Sequence, residues 1–176
     1  MPIQTSYSQH LPEATLAAAR AVIARKSSHL EPLRRVTDAD AATSHLGHWS
    51  RKQILGHLID SAGNNTQRFV RAQIPRHLSN GVLRIQGYAQ DDWVRVAGYQ
   101  HRPWAELIDL WAAMNRNIMH VIDNFDPSAL GTPCAVGDDA PLPIEHIIVD
   151  YAGHLVHHYK QIVGADAEPA GSVTRE

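Results

Sequence analysis

Residues 107–125 read LIDLWAAMNRNIMHVIDNF, and the spacing of their apolar side chains decides the fold. Leu107, Trp111, Met114, Ile118, Val121 and Phe125 alternate intervals of four and three. At about 3.6 residues per turn such positions stack along one face of a helix. A seam of that width is what a helix presents to its neighbours in a bundle. Pro103 opens the segment, where its missing N–H is tolerated, and Asp126 with Pro127 marks its end.

Three further stretches match it. Towards the N-terminus, Ser50 stands three residues before Gln53, the pattern of a capping box. The helix it starts should run through Ile54, Leu55, Leu58, Ile59, Ala62 and Phe69 and stop before Pro75. Towards the C-terminus, a helix should start near Pro143 and end at Gly164, with Ile144, Ile148, Tyr151, Leu155, Tyr159 and Ile162 as its apolar stripe. The alanine-rich stretch from Pro12 to Arg25 reads as the first helix, turning Leu16, Ala19 and Ile23 inward. No stretch shows a convincing strand alternation. The expected class is all-α, a four-helix bundle. It should be one domain over residues 1–164, followed by a fraying tail over 165–176. The long connection between the second and third helices has room for a short helix around Asp91 to Val96.

Composition narrows the function classes. With 176 residues, 44% hydrophobic and 19% charged, the chain can bury a core. A net charge of -2 lacks the basic footprint of a nucleic-acid binder. No apolar run reaches the ~18 residues of a membrane span, and residues 1–5 carry no signal-peptide pattern. One cysteine, Cys134, excludes an internal disulfide and fits a reducing compartment. A cytoplasmic protein is therefore expected, with no nucleic-acid or membrane partner.

Twelve histidines are the unusual feature. His154 and His158 are one turn apart on the fourth helix, so their rings share a face bordering the core stripe. Two imidazoles in that relation can clamp a metal ion. Leu155, Val156 and His157 lie between them, so this is not the H-E-x-x-H protease motif. His157 points away from the stripe, towards solvent. For a third ligand His57 is the best candidate, although periodicity does not force the choice. It sits at the margin of its helix's apolar face, on a polar strip with Asp60, Ser61, Asn64 and Arg68. That strip is either a solvated surface or the polar wall of a cavity. His10, His29, His45, His48, His77, His101, His120 and His146 fall in loops, at ends or off the core faces, and are expected at the surface.

Three stretches also resemble a known family. WSRKQILGHLIDSA (residues 49–62), continued by Asn65, Gln67, Arg68 and Phe69, resembles the second-helix signature of the DinB/YfiT-like superfamily. GYAQDDWV (87–94) resembles its middle loop, and DYAGHLVHHYKQI (150–162) its last helix. The resemblance covers about Leu30 to Val163. It implies a four-helix bundle, often a homodimer, holding one divalent metal ion per chain, zinc or nickel, on His57, His154 and His158. It implies either hydrolysis or transfer of a low-molecular-weight thiol.

Three neutral nitrogens leave coordination positions open, the pattern of catalytic zinc. Such an ion can activate a water or a thiol. Asp60 and Asp150 are each placed to take a proton from a ligand imidazole, or to be plain solvated carboxylates. Asp60 is alternatively a general base. Asn64, Arg68, Tyr88 and Trp93 are candidates for the substrate-facing rim, with a small-molecule substrate. Trp93 is equally a packing residue. The leading expectation is a metal-dependent hydrolase or thiol-dependent transferase. Against it stand a non-catalytic metal-binding or ligand-binding bundle, and a histidine-rich bundle that uses no metal.

Overall fold

Ser50 and Gln53 close the capping box expected of them: the Ser50 N–H donates to Gln53 Oε1 at 2.9 Å and the Gln53 N–H to Ser50 Oγ at 3.2 Å. The helix they start, α4, runs Arg51–Arg71. In the computed structural model, which describes residues 7–44 and 48–164, α4 lies among three other long helices: α1 (Leu16–Ser28), α6 (Trp104–Asp123) and α7 (Ile144–Val163). Helices α4 and α1 each pack against both α6 and α7. Three short helices complete the set: α2 (Glu31–Arg34), α3 (Asp38–Ala42) and α5 (Gln90–Ala97).

The apolar seams lie close to where the periodicities put them, except that in α6 Met114 and Val121 are half-buried and Ile108, Ala112 and Ile122 are buried beside the expected residues. Leu107, Trp111 and Ile118 of α6 are fully buried, as are Ile144, Ile148, Leu155 and Ile162 of α7. Leu55, Leu58 and Phe69 meet them from α4, and Ala19 and Ile23 from α1. Each large side chain so buried contributes roughly 1.5–3 kcal/mol. Gly164, at φ 86°, ends α7 and donates its N–H to Lys160 O at 2.9 Å. The expected short helix in the long connection is α5.

Two boundaries and the class itself need correction. The first helix begins at Leu16 rather than Pro12, because Thr15 provides the cap, its Oγ1 accepting the Ala18 N–H at 3.2 Å. It continues to Ser28, past Arg25. The fold is not strictly all-α. A small sheet of order β1-β2-β3-β4 joins Leu78–Ser79, Val82–Ile85, Pro133–Val136 and Leu142–Pro143. β1 and β2 form a hairpin across Asn80 and Gly81, whose φ values of 49° and 77° are those of a tight turn with both central residues left-handed. β2 pairs with β3 in parallel, Leu83 beside Cys134 and Ile85 beside Val136. Strands of two to four residues are too short to show an alternating pattern.

Remote side chains tie the start of α6 to α3 and α4. Asp38 takes the Trp104 N–H on Oδ1 at 2.8 Å and Lys52 Nζ on Oδ2 at 2.9 Å. The Trp104 indole donates to Leu33 O at 2.9 Å. No helix among the described residues is long and apolar enough to cross a membrane. The tail over 165–176 and His45 lie outside the described residues.

Candidate metal centre

Helices α4 and α7 run side by side, and their facing polar residues bring three imidazoles together. Nε2 of His57 stands 2.9 Å from Nε2 of His154. The ring centroids of His57 and His158 are 4.9 Å apart, and those of His154 and His158 4.6 Å apart. One nitrogen from each ring lies within 4.8 Å of the other two. Two nitrogens bound to one ion at about 2.0–2.1 Å stand about 2.9 Å apart at a right angle and about 3.3 Å apart at the tetrahedral angle. The His57–His154 pair already has that separation, so the donor set fits one divalent ion.

Burial makes the three rings neutral donors. It pushes the His57 imidazole down to about 4, with the neighbouring His158 charge adding to the effect. It pushes His158 down to about 4 as well, opposed by its bond to Gln161. His154 is likewise depressed well below its ordinary range, by burial first and then by the surrounding histidines. Gln161 Oε1 lies 2.8 Å from Nδ1 of His158, which assigns the proton to Nδ1 and leaves Nε2 as the donor. Ser61 Oγ stands 3.5 Å from Nδ1 of His154 on the matching side of that ring. Nδ1 of His57 is buried without a partner among the described residues.

His57 and His154 line a cavity of about 290 Å³. Its α4 wall continues with Ser61, Asn65 and Arg68, and its α7 wall with Ile147, Asp150 and Tyr151. Tyr88, Gln90 and Val136 close it from the long connection and the sheet, and Tyr7 from the N-terminal segment. The Tyr7 ring stands edge-on to His154, 4.9 Å between centroids, and its backbone N–H donates to Asp150 Oδ1 at 2.6 Å. Gly153 permits this approach, since a Cβ there would overlap the Tyr7 carbonyl. On the far side of His158 a second hollow, lined by His48, Trp49, Gln90 and Gln161, opens towards solvent.

The other residues singled out from sequence divide into two groups. Arg68, Tyr88 and Asp150 line the cavity. Burial raises the Tyr88 hydroxyl to about 12. Asp60, Asn64 and Trp93 do not line it. Asp60 is buried, takes the Tyr99 hydroxyl on Oδ1 at 2.6 Å, and leaves Oδ2 without a partner among the described residues. Burial pushes its carboxyl up and the Tyr99 bond partly offsets that. Asn64 donates to Asp60 O at 2.9 Å, and Trp93 is 45% exposed with its ring 4.9 Å from that of Tyr88. His157, expected towards solvent, is half-buried against Tyr7 and His10, because the N-terminal segment folds back over α7. His10 and His77, expected at the surface, are half-buried too.

Ser61 was named on the polar strip of α4 but given no role, and Asn65 was named only in the family resemblance. At ~100° per residue, Ser61 and Asn65 fall about 40° and 80° to one side of His57, while Asn64 and Asp60 fall about 20° and 60° to the other. The cavity opens on the first side only. Which side faces inward depends on the packing of α7, and the sequence of α4 alone does not encode it. Nothing in the sequence pointed to Tyr7.

A model of the DinB superfamily matches residues 12–162. Two solved structures share the fold. YfiT from Bacillus subtilis, described as "a probable metal-dependent hydrolase with an unusual four-helix bundle topology", is 18% identical with a TM-score of 0.72, over 84% of this chain and 83% of its own. A mycothiol-dependent maleylpyruvate isomerase is 16% identical with a TM-score of 0.66, over 93% of this chain and 65% of its own. At these identities the likeness is one of fold. Comparison with curated proteins gives no match.

Proposed function

The chain belongs to the DinB superfamily, and from that premise we propose that it is a metal-dependent enzyme. In this reading His57, His154 and His158 hold one divalent ion, zinc or nickel, that acts on a small molecule in the adjoining cavity. The observation that carries the reading is the convergence of three imidazoles from two helices, His57 buried and His154 and His158 half-buried, beside a cavity that His57 and His154 line. An ion there would supply Lewis acidity towards a water or a thiol, and so would serve a hydrolase or a low-molecular-weight thiol transferase.

The chain's own residues do the rest. Gln161 and Ser61 hold the outer nitrogens of His158 and His154, so that the inner nitrogens point at one place. Tyr7 and Ile147 cover the cavity with apolar surface and restrict water. Arg68 and Tyr88 offer polar contacts to the bound molecule. Asp150 fixes the N-terminal segment that brings Tyr7 over His154. Asp60, tied to Tyr99, supports the His57 turn of α4 from behind.

Elemental analysis of untagged wild type and His154→Ala tests the site. The expected result is about one zinc or nickel per wild-type chain and little in the variant. Wild type that takes up no zinc, nickel or manganese ends the proposal. With metal present, ester or amide turnover without thiol assigns hydrolysis, and turnover that requires added cysteine assigns transfer.

A further inference from the structure

Among the described residues Arg68 is the one arginine or lysine in the cavity wall, and no ion pair between described residues includes it. Its one hydrogen bond among the described residues runs from Nη1 to the amide oxygen of Asn65, at 3.1 Å. Asn65 is held in turn, its Nδ2 donating to Ser61 O at 2.9 Å and to Ser61 Oγ at 3.3 Å. Nε of Arg68 is buried and has no partner among the described residues. Each other arginine seen in an ion pair, such as Arg34 with Asp109 or Arg95 with Asp92, makes it at the exposed surface. A guanidinium stays charged in a protein and presents its donors as a planar fork. Holding one half-buried beside a neutral amide, with a buried Nε that no described residue accepts, is costly unless an anion arrives.

We infer that Arg68 is a carboxylate-binding subsite, and that the molecule acted on at the histidine cluster carries a carboxylate that docks against it. The inference rests on the metal-enzyme reading for the reaction, but not for the binding itself. A carboxylate matches the guanidinium fork with two parallel hydrogen bonds. A phosphate dianion fits less well, because the wall holds no second arginine or lysine among the described residues and does hold Asp150. The cavity, about 290 Å³, lies at the small end of ligand sites. The carboxylate belongs either to the substrate or to a thiol co-substrate, and the chemistry recognised is the same.

The test is a protein-observed NMR titration of wild type, Arg68→Gln and Arg68→Lys with butyrate, butyramide and 3-mercaptopropionate. Each is run on chelator-treated and on zinc-loaded protein. Butyrate should bind wild type in both states, butyramide should not, and Arg68→Gln should weaken butyrate by about ten-fold to a hundred-fold. Arg68→Lys should fall between. Arg68→Gln should melt no lower than wild type, since it removes a half-buried charge with no counter-ion among the described residues. If Arg68-dependent binding is much tighter for 3-mercaptopropionate than for butyrate, the subsite serves the thiol. Equal binding of butyrate by wild type and Arg68→Gln, or of butyramide and butyrate, overturns the inference and leaves the metal reading standing. Arg68-dependent butyrate binding by a protein that takes up no zinc would leave the subsite standing and remove the metal.

Discussion

Helix α4 has two unlike neighbours. Towards α6 it meets an apolar layer, the dry layer, of Leu107, Ile108, Trp111 and Ile118, in which both polar atoms of the buried Asn115 side chain have a partner. Asn115 takes the Tyr151 hydroxyl at 2.6 Å and gives its amide to Trp111 O at 2.9 Å. On the helix turns that line the cavity, α4 carries buried polar atoms with no partner among the described residues, His57 Nδ1 and Arg68 Nε, and Asp60 Oδ2 on its other flank is a third. Native proteins satisfy nearly all such atoms, and the exceptions need an explanation. A layer that only has to hold the fold settles its hydrogen bonds internally. A layer that has to receive something keeps donors and acceptors back, at a cost in stability. Trp111 Nε1 departs from the pattern in the dry layer, and nothing in the structure explains it.

The two layers should therefore answer differently to mutation. The largest loss is expected in the dry layer: Trp111→Ala empties the centre of the bundle and should cost about 3–5 kcal/mol by urea unfolding. A cost under about 1 kcal/mol would show that the α6 layer is not the main support. Next come two buried polar residues with opposite expectations. Asn115→Leu strands the Tyr151 hydroxyl and should cost about 1–3 kcal/mol. His57→Leu, measured on metal-free protein, should leave the melting temperature unchanged or higher, because the ring it removes holds an unpartnered nitrogen. If both variants lose stability equally, the contrast between the layers fails.

A smaller effect is expected where the cavity is covered. Gly153→Ala drives the Tyr7 backbone off α7. The core beneath α7 is untouched, so unfolding should shift by only about 1 kcal/mol, within the range for overpacking a close contact. Proteolysis near residue 7 should become faster. Unchanged cleavage would mean that the N-terminal segment does not depend on this contact.

How much of this was legible follows from what kind of information each feature uses. The seams of α4, α6 and α7 repeat over five turns, so local spacing was enough to find them. The pair His154 and His158 is likewise local, since both residues ride one helix. His57 needed the family resemblance, because its helix displays a wide polar strip and α7 selects the flank that matters. The sheet was missed for the opposite reason. Its strands are short, and β2 finds β3 about fifty residues away. The Asn80-Gly81 turn was the one local sign of it, and that pair was readable as a hairpin signal. Tyr7 reaches the cavity through a contact that only the folded chain creates.

The smallest expected effect concerns acid, and it separates the layers once more. Asp38 joins α3 to the dry layer by holding Lys52 and the Trp104 N–H together. The Lys52 ammonium, followed by the Trp104 N–H, holds the Asp38 carboxyl below its ordinary range. The folded value is thus lower than the unfolded one. The stabilisation is complete above the unfolded value, near 3.9, and is lost as pH falls through the folded value. Asp38 is well exposed, so solvent screens the pair and the effect is small. Wild type should melt slightly above Asp38→Asn at pH 7, and the gap should close as pH falls below about 4. A gap that stays constant down to pH 2 would mean that the Trp104 N–H, which asparagine can also accept, matters and the Lys52 charge does not. The tie would then be a helix cap, and the dry layer would contain no electrostatic contribution at all.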